Sequence, residues 1–359
     1  GAPPPPRATR LDTPQGSMLL PSVDYAVEAP PAPGTLSEVV PGILWTRMPL
    51  PFALDHVNLW LLADADGWCA IDAGIATDPV RELWDGILAG PLRQRGLRRL
   101  LVTHMHPDHV GLAGWLVGRS GAEFLMPRTE YLAAHAARAE ITQPVVDAQL
   151  GFYRRAGVPE AVIQAGLRNL GRFRAVVSAL PAEYRRIRHG DEIGIGGRTW
   201  RVIIGEGHAP EMACLYSREL NVLIAADQVL PRISPNVSVW PSEPFADPLS
   251  EFLASMERFR DLPRDVLVLP SHGLPFRGLH ARMDELVAHH AERLEETLAA
   301  CRNPCTVMDL VEILFRRPLD AHQMAFAIGE AAAHLNHLER QGRLLRSAGA
   351  DEVWHFTLG

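Results

Sequence analysis

The chain has 359 residues, 47% of them hydrophobic and 21% charged, with a formal net charge of -7; this composition predicts a main globular domain with an appendage. The negative balance argues against nucleic acid or an anionic membrane surface as the main partner, and no run of 18 or more apolar residues offers a membrane span. Cys69, Cys214, Cys301 and Cys305 make no paired CxxC pattern and no disulfide framework, so a reducing, cytoplasmic setting is expected.

Residues 1–36 are proline-rich and predict an extended surface arm; their start, GAPPPPRATR, has no apolar segment of the kind a secretory signal needs. GILWTRMPL and NLWLLADADGWCAIDAG then read as strands, the second a hairpin turning at ADADG. A helix follows at about 78–90. LRRLLVTH is a buried strand leading into a polar loop, and GLAGWLVGRSG after it has helical spacing. Residues 129–184 read as a helical insert. Strands resume in DEIGIGGRTWRVIIGEGH, ACLYSREL, NVLIAADQ and DVLVLPSHG. A long helix at about 279–300 ends before Asn303-Pro304, and the remainder reads as helices at 306–316, 320–328 and 330–342 with a closing β-hairpin. Cys301 and Cys305, on one helix face, read as packing rather than as metal ligands.

The loop after LRRLLVTH carries the chemistry. In THMHPDHVG, His104, His106, Asp108 and His109 fall within six positions; with 15 histidines in the chain, chance places HxHxDH in roughly one such sequence in a thousand. Imidazoles and carboxylates are the donors that zinc, iron and manganese accept. In an extended segment residues two apart point the same way, so His104 and His106 can share one ion while the turn at Pro107 sends Asp108 and His109 to a second. His208, Asp227 and His272 each follow a later apolar run. Seven ligands suit two divalent ions: His104, His106 and His208 on one, Asp108, His109 and His272 on the other, and Asp227 bridging. Zinc is the first expectation, with iron and manganese as alternatives.

THMHPDHVG, GEGHAPE, AAD and PSHG, in that order, resemble the metal-binding segments of the metallo-β-lactamase-fold hydrolase superfamily over about residues 38–290. The resemblance implies an α+β fold, an αββα sandwich with the metals at one edge, so that residues 37–300 form the catalytic domain. It places Asp72, in AIDAG, behind the histidine loop as its support. It also implies hydrolysis by a metal-bridging hydroxide, with Asp108 orienting the nucleophile and passing a proton to the leaving group. The presence of both His109 and Asp227 resembles the glyoxalase II, lactonase and ribonuclease branches rather than the antibiotic-hydrolysing ones. GEGHAPE departs from the family pattern around its histidine, and Glu206 and Glu211 add negative charge there.

The insert could fold over the metal edge as a lid lined by Phe152, Tyr153 and Phe173; the preferred alternative is that these aromatics form its own core. Phe52, His56, Asn58 and Trp240 are further candidate pocket residues. Residues 301–359 resemble a winged-helix domain of the lactamase-β-2-type hydrolases. Acid slightly exceeds base in this unit, with Arg316, Arg317, Arg340, Arg343 and Arg346 set against seven carboxylates. A nucleic-acid-binding face should be basic, so packing against the main domain or a homodimer contact is preferred. The expected substrate is a small ester, thioester or lactone. A ribonuclease or phosphodiesterase, and a mononuclear iron sulfur dioxygenase, are the competing readings.

Overall fold

The computed structural model describes residues 10–11, 18–19, 23–52, 54–167 and 171–359. Half of the proposed N-terminal arm lies outside them. Arg10–Leu11 (β1) pairs with Met18–Leu19 (β2), and Asp24–Tyr25 (β3), within the proposed arm, forms the edge strand of a sheet.

The first sheet is built from Ser37–Val40 (β4), Ile43–Pro49 (β5), His56–Asp64 (β6), Gly67–Ile71 (β7), Leu97–Leu101 (β8), Glu123–Pro127 (β9) and Arg185–Ile187 (β10), which are neighbours in chain order. It starts as an antiparallel meander and becomes parallel from β7 onward, where helices supply the crossovers: Asp78–Ala89 (α1), then Pro107–Val110 (α2) and Ala113–Ser120 (α3). The second sheet comprises Glu192–Ile195 (β11), Arg198–Gly205 (β12), Met212–Ser217 (β13), Val222–Ala226 (β14), Leu267–Pro270 (β15) and Phe276–Arg277 (β16), with β3 at its edge.

Alternation along the strands divides the core into layers. Trp45, Trp60, Ile71 and Leu101 meet Trp200, Val202, Leu215 and Ile224 between the sheets. The other face of the first sheet, with Val57, Leu59 and Leu100, packs on Val80 and Trp84 of α1 and Leu116 of α3. The other face of the second, with Ile203, Leu223 and Val268, packs on Pro248–Met256 (α8) and Leu279–Ala300 (α9) through Phe252, Met256 and Met283. The result is an αββα sandwich, as the motif order implied.

The insert consists of Arg128–Arg138 (α4), Gln143–Arg155 (α5), Glu160–Leu167 (α6) and Arg172–Val176 (α7). Its ends rest on the first sheet through Tyr131 and Val177, whereas α5 and α6 join another core. There Phe152, Ala156 and Ile163 pack with Val307–Leu314 (α10) and Ala321–Arg340 (α11), and with the hairpin of Leu344–Ala348 (β17) and Trp354–Leu358 (β18). The two helices expected over 320–342 are one: Gly329 lies inside α11, not at its end. Cys301 and Cys305 are buried free thiols in this core. Among the described residues no helix is long and apolar enough to cross a membrane.

Candidate metal centre

Strand ends bring the seven residues together. β8 finishes at Leu101, and the chain bends at Met105 and His106, the φ of -61° and ψ of 147° of His106 preceding Pro107 at the first position of α2. Proline is preorganised for that position and starts a helical turn. His104 and His106 therefore approach each other, Nε2 to Nδ1, at 3.0 Å, while the turn carries Asp108 and His109 elsewhere. The donor atoms fall into two groups, His104, His106, His208 and Asp227 in one and Asp108, His109 and His272 in the other, all within 4.8 Å of one another inside each group.

Asp227 stands between the groups. Its Oδ2 lies 3.3 Å from His208 Nε2, 3.4 Å from His109 Nε2 and 3.7 Å from His104 Nε2, and its Oδ1 lies 3.4 Å from His272 Nε2. Asp108 Oδ2 is 3.4 Å from both His109 Nε2 and His272 Nε2. Two residues that aim these side chains have left-handed backbone without being glycine: Asp72, at φ 66°, and Ala226, at φ 47°, a conformation uncommon for L-residues and concentrated at functional sites. Gly207, at φ 91°, precedes His208 where a β-carbon would meet Phe252 and the Pro248 carbonyl of α8 within 2.5 Å.

The far nitrogen of each key imidazole is tied off. His109 Nδ1 donates to Asp72 Oδ2 at 2.8 Å, His208 Nδ1 to the Asn236 carbonyl at 2.8 Å, and His272 Nδ1 to the His56 carbonyl at 2.7 Å. These acceptors hold a proton on Nδ1 and turn Nε2 into the site. Asp72 also accepts from the Thr103 amide and hydroxyl, at 2.7 and 2.9 Å, and the same hydroxyl lies 3.0 Å from His104 Nδ1. His109 Nε2, His208 Nε2 and Asp227 Oδ1 are buried without a hydrogen-bond partner. Orphaned donor atoms of metal-ligand type, converging from three segments, fit a divalent cation.

Protonation follows the same division. Burial, then the facing His208, pushes His106 down to about 3, and burial with His109 and His106 keeps His104 well below its ordinary range. Both are neutral, as metal ligands must be. Burial opposes charge on His272 too, but Asp227 and Asp108 outweigh it and raise it to about 10; His109 is raised in the same way. The two aspartates are held well below the carboxylate range by His109 and His272, against the effect of burial. A cation entering the second group must therefore displace protons.

Glu130, which the sequence reading passed over, is fully buried at the start of α4. Its Oε2 accepts from the Met105 amide at 2.8 Å and its Oε1 from the Glu211 amide at 2.6 Å, joining the loop of His104 and His106 to the one after His208. The added charge expected from GEGHAPE is engaged elsewhere: Glu206 pairs with Arg258 at 2.6 Å, and Glu211 accepts from the Thr129 amide at 2.8 Å.

The pocket candidates separate on inspection. Asn58 is 1% exposed and bonded to Trp45, Arg47, Pro270 and Gly273, so it clamps the strand ends that carry His272 rather than facing a ligand. His56 holds the same loop, accepting at Nε2 from the Gly273 amide at 3.0 Å. Phe152 is buried against Trp354, and Tyr153 packs beside it; both belong to the core shared with the C-terminal unit, because α5 turns its apolar face that way. Phe52 packs on the first sheet's outer core with the Arg172 guanidinium 5.4 Å above its ring, and Phe173 joins the same core. Trp240 is 43% exposed and meets Phe326 of α11 edge-on.

Residues 53–272 match the metallo-beta-lactamase superfamily, and residues 294–358 match the metallo-beta-lactamase-like, C-terminal domain. A beta-lactamase domain protein from Burkholderia ambifaria has a similar crystal structure: 44% identity, a TM-score of 0.88, and coverage of 94% of this chain and 98% of that one. The probable metallo-hydrolase YqjP of Bacillus subtilis is 25% identical over 88% of this chain and 98% of its own length. The acyl-coenzyme A thioesterase MBLAC2 of Gallus gallus is 28% identical over 64% of this chain and 77% of its own. Motif order, sandwich, converging donors and matched residues agree: the chain belongs to the metallo-beta-lactamase superfamily and is a metallo-hydrolase with a candidate divalent-metal site.

Proposed function

We propose that the chain is a dinuclear metal-dependent hydrolase of a small acyl ester, thioester or lactone, with zinc as the first expected ion and iron or manganese as alternatives. The observation that carries this reading is Asp227, whose two oxygens face both donor groups. Two cations held there would acidify a water to near-neutral pKa and polarise the substrate's carbonyl oxygen. The chain's own residues do the rest. Asp72, the Asn236 carbonyl and the His56 carbonyl keep three imidazoles in the ligating tautomer. Asp108, with 19% of its side chain exposed against 7% for Asp227, is the carboxylate with access to substrate, and so the one to orient the nucleophile and hand a proton to the leaving oxygen or sulfur.

An acyl substrate is favoured over RNA by the state of the C-terminal arginines. Arg346 is stacked among Phe245, Trp354 and Phe356 and bonded to Glu339. Arg340 donates to the Phe245 carbonyl and Arg343 pairs with Glu295. Glu339 and Glu295 offset two of the charges that a phosphate backbone would need, and the Phe245 carbonyl engages a third arginine. The name of the Gallus gallus relative points the same way. The test is a panel of acyl thioesters, lactones and phosphodiesters, assayed before and after chelation and after zinc is restored. Chelator-sensitive acyl hydrolysis supports the proposal; turnover of phosphodiesters alone, or oxygen uptake with a persulfide substrate on one iron, would replace it.

A further inference from the structure

We infer that the C-terminal unit is a positioning element of the metal centre: α11 sets the orientation of His208 through the loop at residues 236–239. This rests on the reading of His208 as a metal ligand. The Asn236 carbonyl that fixes the His208 ring belongs to a stretch without helix or strand, so something else must hold it. Asn236 Nδ2 donates to Ser238 Oγ at 2.8 Å; Ser238 Oγ lies 3.3 Å from the Phe326 carbonyl; and the Val239 amide donates to the Gly329 carbonyl at 3.0 Å. Both anchoring carbonyls are on α11, three residues apart and so on one helix face.

Gly329 sets the separation. A β-carbon there would lie 2.7 Å from Ser238 Cβ and Oγ and 2.9 Å from the Val239 carbonyl oxygen. The last contact is backbone, which no rotamer change relieves. Glycine inside a helix costs about 0.5–1 kcal/mol relative to alanine, and the close approach of this loop is what the position gains. The path from α11 to the site thus runs through Ser238 and Asn236 to His208, which Asn236 meets at Nδ1, the nitrogen turned away from the metal donors. Ser238 and Gly329 are positioning residues.

The experiment follows zinc titration and histidine-selective NMR of the full chain as wild type, Gly329→Ala and Ser238→Ala. The second variant removes one hydroxyl and serves if the first does not fold. Both variants should bind one zinc as wild type does and the other about 10-fold to 100-fold more weakly, the range for loss of a group that supports a metal ligand. The hydrogen-bonded Nδ1 proton of His208 should shift while that of His272 stays. Unchanged zinc affinities and an unmoved His208 resonance, with only the melting temperature lowered, overturn the inference. A wild-type His208 resonance that ignores added zinc overturns the ligand assignment beneath it.

Discussion

Replacing Asp72 by Asn tests how the site is held while preserving its shape. Asparagine tolerates the left-handed backbone found at Asp72, φ 66°, so the change isolates the side chain. The carboxylate accepts three hydrogen bonds, from the Thr103 amide, the Thr103 hydroxyl and His109 Nδ1, at 2.7, 2.9 and 2.8 Å. An amide has one accepting oxygen. Whichever way it is turned, its NH2 group faces either the Thr103 N–H or the His109 N–H. An unpaired buried donor costs about 1–3 kcal/mol. If His109 yields, its proton moves to Nε2, the atom that must be bare to bind metal. Loss of such support lowers metal affinity about 10-fold to 100-fold, or about 1.4–2.7 kcal/mol. Competition with a chromophoric chelator reads the two binding constants, and thermal melts of the metal-free protein read the stability cost. Asp72→Asn should weaken one equivalent and destabilise the metal-free fold. Binding constants within about threefold of wild type would refute the claim that Asp72 sets the His109 tautomer.

Glu130 supplies a pH test. Burial lifts its carboxyl from 4.5 to about 7, against the amides of Glu211 and Met105. Since the folded value is above the unfolded one, ionisation opposes folding. Relative to Glu130→Gln, the wild type should lose about 3 kcal/mol of stability as pH rises from 4.5 through 7 and no more above it; parallel urea-unfolding curves across that range would contradict this. Phe152→Ala should cost about 3–5 kcal/mol of stability, as expected for a buried aromatic, with KM for the best acyl substrate unchanged in the folded fraction; a raised KM at normal stability would return Phe152 to the substrate pocket. His106→Ala should lose bound metal and turnover together, checked by metal analysis and assay of the same sample.

The chemistry that the sequence displays is the part carried by side-chain identity at strand ends. HxHxDH, His208, Asp227 and His272 stand out because imidazole and carboxylate follow apolar runs, and Pro107 marks the turn that divides the first four. What escapes is support given by backbone. The Asn236 and His56 carbonyls orient two imidazoles, and no residue type announces a carbonyl. Glu130 resembles any acid in a helix's first turn, where the macrodipole favours it; only the fold brings Met105 and Glu211 to its oxygens. Gly329 reads as a helix break by propensity, whereas tertiary contact with Ser238 and Val239 keeps the helix continuous through it. Asn58, a pocket candidate by its place near the ligand-bearing strand ends, spends its side chain on hydrogen bonds, and Phe152 packs in a core that the insert shares with the C-terminal unit rather than one of its own. The strands are legible from their apolar runs and turns, and the sandwich only through the resemblance of the metal-binding segments, while the sharing of one core by α5, α6 and the C-terminal unit depends on contacts far apart in the chain.

The central claim is a two-metal hydrolytic centre bridged by Asp227. Its most direct test is a count of metal per chain, by inductively coupled plasma mass spectrometry, on wild type and Asp227→Ala, with hydrolysis of an acyl thioester measured on each sample. The account predicts two divalent ions per wild-type chain, chelator-sensitive turnover restored by zinc, and loss of both ions' occupancy and activity in Asp227→Ala. One iron per wild-type chain, or full hydrolysis by metal-free protein, would contradict it.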